Sequence, residues 1–111
     1  MRYKPLVIGA LVGAGSLAMA VPASALSVSL SGAGKAQTWN SRTKAEITDT
    51  SLDGNAVAVQ YYRKASPSKL RTIWVKTGVH TSNSSGSGSY IKKIRVREQQ
   101  TGGDRYSGWK S

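Results

Sequence analysis

The 111-residue sequence contains no cysteine, no phenylalanine, a single histidine and only five acidic residues. Each shortage removes a class of chemistry. Without cysteine there is no disulfide to staple a small exported domain, and no thiolate set for structural zinc. His80 is the sole imidazole, and so low an acidic content argues against a dedicated calcium site. No metal and no cofactor is therefore expected. Helix is not expected either: no window sustains an apolar period of 3.6, and 12 glycines among many serines and threonines argue against it.

Catalysis is the sharpest hypothesis these shortages weaken. A hydrolytic triad would need a serine, His80 and one of Asp49, Asp53 or Asp104, but no serine sits in a Gly-x-Ser-x-Gly elbow. His80 borders a run of serine and glycine that is a poor mount for a general base. A glycosidase needs two carboxylates held in one cleft, whereas Glu46, Asp49 and Asp53 fall close together on one exposed stretch. Turn and cap roles account better for Asp53 and Asp104. The reading is that no residue is catalytic.

What is present begins with a targeting segment, residues 1–25. Arg2 and Lys4 form a positive start, Leu6 to Val21 carries no charge, and Ala23-Ser24-Ala25 supplies a small-x-small cleavage pattern. Ala18-Met19-Ala20 is an alternative cleavage point. The uncharged run is short of the roughly 20 residues that span a bilayer, and no basic stop-transfer cluster follows. The expectation is secretion to the extracellular space with Leu26 as the new N-terminus and no membrane span remaining. Residues 26–111 then form a single domain of 86 residues (111 − 25). Fourteen lysines and arginines against five acids give it a net charge of about +9.

The domain reads as all-β, a small antiparallel sandwich or barrel of five to seven strands. Its centre is the stretch Trp39–Lys64, which predicts a β-hairpin. Ala45 and Ile47 alternate with polar residues before Asp53-Gly54-Asn55, a strong turn signal, and Val57, Val59 and Tyr61 alternate after it. Leu26, Val28 and Leu30 alternate with serines, predicting a strand. The hinge Gly32-Ala33-Gly34 allows that strand to fold back as an edge, or to be lent to the open sheet edge of a partner. Lys35 to Trp39 is a further short strand. Ala65 to Lys69 is a turn around Pro67, and Leu70 to Thr77 is a strand with two apolar faces, expected near the centre of the fold or beneath a loop. Thr81 to Ser89 is a polar loop with too little apolar surface to order itself. Tyr90 to Glu98 closes the set, with Tyr90, Ile94 and Val96 inward and Lys93, Arg95 and Arg97 outward. Gln99 to Asp104 is a glycine-bearing turn.

The excess positive charge is concentrated. Lys92, Lys93, Arg95 and Arg97 lie within six residues, and Arg63, Lys64, Lys69 and Arg71 flank Pro67. If those strands pair, two cationic stripes adjoin and attract a polyanion; otherwise the charges keep the domain soluble and its edges unpaired. Tyr61, Tyr62, Trp74, Tyr90, Tyr106 and Trp109 form a candidate contact surface, although in a chain without phenylalanine several are expected in the core. Trp109 is the candidate for an exposed one.

Trp39-Asn40-Ser41-Arg42-Thr43-Lys44, Asp49-Thr50 with Asp53-Gly54, the strand Val57–Arg63, and Ile94-Arg95-Val96 with the closing Ser107-Gly108-Trp109 resemble a group of small exported actinobacterial proteins. The likeness spans most of residues 35–109. It implies a β-sandwich similar to small secreted amylase inhibitors, but this chain lacks their Trp-Arg-Tyr motif. It also lacks the cysteine pair that members of the group often carry near the C-terminus. By analogy with such domains, the resemblance implies an adaptor within a secreted antibacterial toxin assembly. The expected function is thus a secreted, non-enzymatic module that binds an extracellular protein. The alternatives are a binder of anionic wall polymer or another polyanion, and an inhibitor of an extracellular hydrolase. The candidate binding residues are Lys92, Lys93, Arg95, Arg97, Arg63, Lys64 and Trp109, with Leu26, Val28 and Leu30 as a candidate partner strand.

Overall fold

A computed structural model describes residues 25–111, so the expected targeting segment lies outside the described residues except for its last position. The described chain is all-β and contains no helix. Its strands are β1 (Ser27–Leu30), β2 (Gly34–Trp39), β3 (Lys44–Asp49), β4 (Val57–Arg63), β5 (Ser66–Val75), β6 (Ser82–Ser84), β7 (Ile91–Glu98) and β8 (Arg105–Tyr106). They form two four-stranded antiparallel sheets, ordered β1-β2-β3-β6 and β5-β4-β7-β8. The shortest two, β6 and β8, take the total beyond the five to seven expected.

The stretch Trp39–Lys64 is not a hairpin. Both strands form over the expected residues, but β3 pairs with β2 and β6, whereas β4 pairs with β5 and β7. Asp53-Gly54-Asn55 still turns, with the Asn55 amide on Asp53 Oδ1 at 2.9 Å and Gly54 at a φ of 74°. The segment Thr50–Ala56 is a corner that carries the chain from one sheet to the other. Each strand has an apolar face, and stacking the two sheets buries both: Ile47, Val57 and Val59 are wholly inaccessible.

The core is aliphatic. Ala36, Ala45 and Ile47 from the first sheet meet Val57, Val59, Val75, Ile91, Ile94 and Val96 from the second. Tyr61 is the one aromatic in the core, correcting the expectation of several. Tyr90 is exposed rather than inward, because β7 contains a bulge. Tyr62 pairs with Lys93 and Arg63 with Ile91, leaving Lys92 as the additional residue and turning Ile91 inward.

The turn at Pro67 is also displaced. Lys64 and Ala65 make the turn, and Ser66–Lys69 already belong to β5. Strand β5 is an edge, not the centre, which is where a proline without an N–H is tolerated. Strand β1 folds back on β2 as the other outer strand of its sheet. Leu26 is buried, its amide donates to Thr38 Oγ1 at 2.9 Å, and Val28 and Leu30 pack against the core.

The loop expected to be unordered has a cation at its centre. The Arg63 side chain turns inward. Its Nη1 donates to the carbonyls of Thr43 (2.9 Å) and Ser89 (2.6 Å), and its Nη2 to Gly86 O (3.0 Å) and Ser85 Oγ (3.4 Å). Three hydrogen bonds to a buried guanidinium, itself anchored to Thr43 by the fourth, fix Ser85–Ser89 in place of the apolar contacts the loop lacks. A second arginine does comparable work at the β2–β3 turn, where Asn40, Ser41 and Arg42 all have positive φ. Arg42 Nη2 donates to the carbonyls of Ile91 (2.7 Å) and Lys92 (2.8 Å), clamping the turn to the β7 bulge and offsetting its left-handed backbone.

Candidate binding face

The outer face of the β5-β4-β7-β8 sheet carries an alternating array of cations and rings. Alternation in the strands puts Lys93, Arg95 and Arg97 on one side of β7, successive residues about 7 Å apart along the strand. Register then sets their neighbours: Ala58 lies between Trp74 and Arg97, Gln60 between Thr72 and Arg95, and Tyr62 beside Lys93. After the Gln99–Asp104 turn, β8 brings Tyr106 opposite Arg97. The tail continues along β7, with Ser107 and Lys110 bonded to Val96 and Ile94, and this lays Trp109 over the array.

The result is a continuous ladder. The Arg97 guanidinium carbon lies 5.3 Å from the centre of the Trp74 ring and 5.5 Å from Tyr106. That of Arg95 lies 4.3 Å from Tyr106 and 4.5 Å from Trp109. Lys93 Nζ lies 4.9 Å from Trp109 and 5.3 Å from Tyr62, and these two rings are themselves 5.4 Å apart. Such contacts are favourable because the negative face of each ring meets a cation, at about 0.5–1 kcal/mol each where exposed. The ladder also covers the outer side of β4: Ala58 and Gln60 are buried although they face away from the core.

The cations are not equivalent. Arg97 donates through Nε to Asp104 Oδ2 at 2.7 Å, an ion pair that neutralises it. That hydrogen bond, with one from the Gln100 amide, holds the Asp104 carboxyl below the usual carboxylate range. Arg95 donates through Nε to Gln60 Oε1 at 2.9 Å, and Gln60 in turn donates to Thr72 Oγ1. The Nη groups of Arg95 have no hydrogen-bond partner among the described residues. The only other ion pair among those residues is Arg105 with Glu98, 3.5 Å apart at the far end of the sheet. Glu98 is fully buried, and desolvation, followed by the nearby Asp53, pushes its carboxyl up.

Of the candidate residues, the structure brings Lys93, Arg95, Arg97 and Trp109 together. Lys92 sits in the bulge outside the ladder, Lys64 is exposed in a turn, and Arg63 is buried between the sheets. The two basic stripes therefore do not adjoin. Strand β4 separates them, and Arg71 registers with inward-facing Tyr61. Tyr62, Trp74 and Tyr106 belong to the face, while Tyr90 instead receives Arg42, 4.3 Å from its ring. Gln60 and Asp104 join the site in addition to the residues expected from the sequence; an uncharged polar residue inside an apolar strand is the signal Gln60 offers.

Among the described residues no cluster of His, Asp and Glu is arranged to hold a metal ion. No helix among them is long and apolar enough to cross a membrane. No protein-family model, curated protein or solved structure matches the chain.

Proposed function

We propose that this protein is a secreted, non-enzymatic binding module that docks an acidic protein surface through the outer face of the β5-β4-β7-β8 sheet. The carrying observation is the state of Arg95. Its guanidinium is held between the Tyr106 and Trp109 rings with Nε committed to Gln60, so its remaining donors are presented in a fixed direction. Arginine, tryptophan and tyrosine dominate binding hot spots, and a side chain already immobilised loses little entropy on docking. A diffuse polyanion, by contrast, is met by mobile, exposed lysines. The resemblance to small exported actinobacterial domains supports an adaptor role of the same kind.

The test is retention of a partner from spent culture medium on the tagged chain 26–111 and on its Arg95→Ala and Trp109→Ala variants. At about 0.5 M salt exposed charges are screened. The wild type is expected to keep a discrete protein there, and each variant to lose at least tenfold of it. If all bound material elutes with salt, the face belongs to a polyanion and the protein-docking reading fails.

A further inference from the structure

On the inner side of the same sheet, at its seam with the other sheet, lies a solvent-open pocket of about 570 Å³. Strand β4 contributes Tyr61 and Arg63, β5 contributes Arg71 and Ile73, and the Ser85–Ser89 loop forms the opposite wall. No carboxylate lines it. Its size falls within the roughly 300–1,000 Å³ typical of small-ligand sites.

The two arginines of this pocket differ in how far they are satisfied. Arg63 is occupied, its Nη groups making three hydrogen bonds to the loop and one to the Thr43 carbonyl. Arg71 has five N–H donors to place. Among the described residues its one hydrogen bond is Nη2 to Ser66 Oγ at 3.5 Å, the limit for such a bond, and its Nε is buried with no partner. An unmet buried donor is costly, and a second guanidinium in the same pocket adds repulsion. Because Nε is out of reach of solvent, the Nη groups at the pocket surface are where an anion can compensate the charge. Concave walls of low dielectric concentrate the positive potential there. The Ser87 hydroxyl, also without a partner among the described residues, adds a donor, while Ile73 and Tyr61 offer apolar surface.

We propose that this pocket binds a phosphate- or sulfate-type dianion carried on a small, partly apolar ligand, with Arg71 as the principal contact. Two cations facing no carboxylate match a dianion better than a singly charged group, and the planar guanidinium fork suits an oxyanion. The site is independent of the docking face, since Arg71 and Arg95 lie on opposite sides of the sheet.

The test is an NMR titration of backbone amides in chain 26–111 with phenyl phosphate, alongside inorganic phosphate, sulfate and neutral phenol. Saturable shifts are expected at Arg71, Ile73 and Ser85–Ser89 with the three anions and not with phenol. Arg71→Gln should weaken phenyl phosphate binding about tenfold or more, and Arg95→Ala should leave it unchanged. Should Arg71→Gln fail to fold, Ser87→Asp puts a carboxylate into the pocket from an exposed position, and the same loss is expected. The proposal is overturned by the absence of shifts, by shifts confined to the Lys93–Arg97 face, or by phenol acting like phenyl phosphate. Wild-type binding in folded Arg71→Gln or in Ser87→Asp overturns it as well.

Discussion

Replacing Arg63 with alanine should destabilise the whole domain, not merely a surface charge patch. The side chain is only 7% exposed, and its Nη groups serve three backbone carbonyls and one serine hydroxyl. No carboxylate among the described residues pairs with it, so the guanidinium is held in the interior by these acceptors and by the Tyr61 ring, 5.3 Å from its central carbon. Hydrogen bonds to charged groups contribute about 1.5–3 kcal/mol each, less here because a guanidinium without a carboxylate has been taken out of water. Truncation removes one bond from each of three carbonyls, of which Thr43 O keeps the Gly88 amide, Gly86 O keeps the Ser85 hydroxyl and Ser89 O keeps neither; at about 1 kcal/mol net per bond lost the total is about 3 kcal/mol. A domain of roughly 90 residues has about 5–13 kcal/mol in all. At about 4–8 °C per kcal/mol, the melting temperature should fall by about 12–24 °C. Circular dichroism melts of chain 26–111 measure this, and amide hydrogen exchange should show Gly86–Tyr90 losing protection first. Arg63→Lys, which keeps the charge but not the fork, should fall between the two. A melting temperature within about 4 °C of wild type, with anion retention altered instead, would refute the reasoning.

Two further outcomes follow from buried groups at the ends of the fold. Glu98→Gln should change the pH dependence of stability: burial and then Asp53 raise the Glu98 carboxyl, so folding favours its protonated form. The stability it contributes is complete below its unfolded value and is lost as pH rises through the folded one. The melting temperature of the glutamine variant relative to wild type should therefore increase from about pH 4 to pH 7, and a constant offset would contradict this. Deleting residues 26–31 should unfold the domain, because the segment supplies Leu26 to the core and, as β1, the strand that pairs with the outer side of β2. A folded product in a two-dimensional NMR spectrum would show that β1 is dispensable.

Much of the strand content was legible because alternation is local. A residue's face depends on its immediate neighbours, so Val57–Arg63 and the outward set Lys93, Arg95 and Arg97 could be read directly. The bulge at Lys92 was not legible, since an inserted residue leaves no mark until a partner strand provides the count. The inward turn of Arg63 was equally hidden: an arginine beside a lysine and a turn reads as surface. Its partners are carbonyls of Thr43, Gly86 and Ser89, which every residue type carries, so no side-chain pattern announces them.

Composition and period by themselves determined an all-β domain without disulfide or thiolate metal site, rich in cations and with one strand of them facing outward. These properties are additive along the chain or set by adjacent residues. Which strands pair was decided only in three dimensions. The same turn, Asp53-Gly54-Asn55, serves equally well in a hairpin and at a corner between sheets. The choice rests on burying the apolar faces of β3 and β4 against each other, which no local signal records. The binding face has the same origin. Trp74, Arg97 and Tyr106 come from three strands, and Trp109 from the tail, and they alternate only because antiparallel register lines them up across one surface.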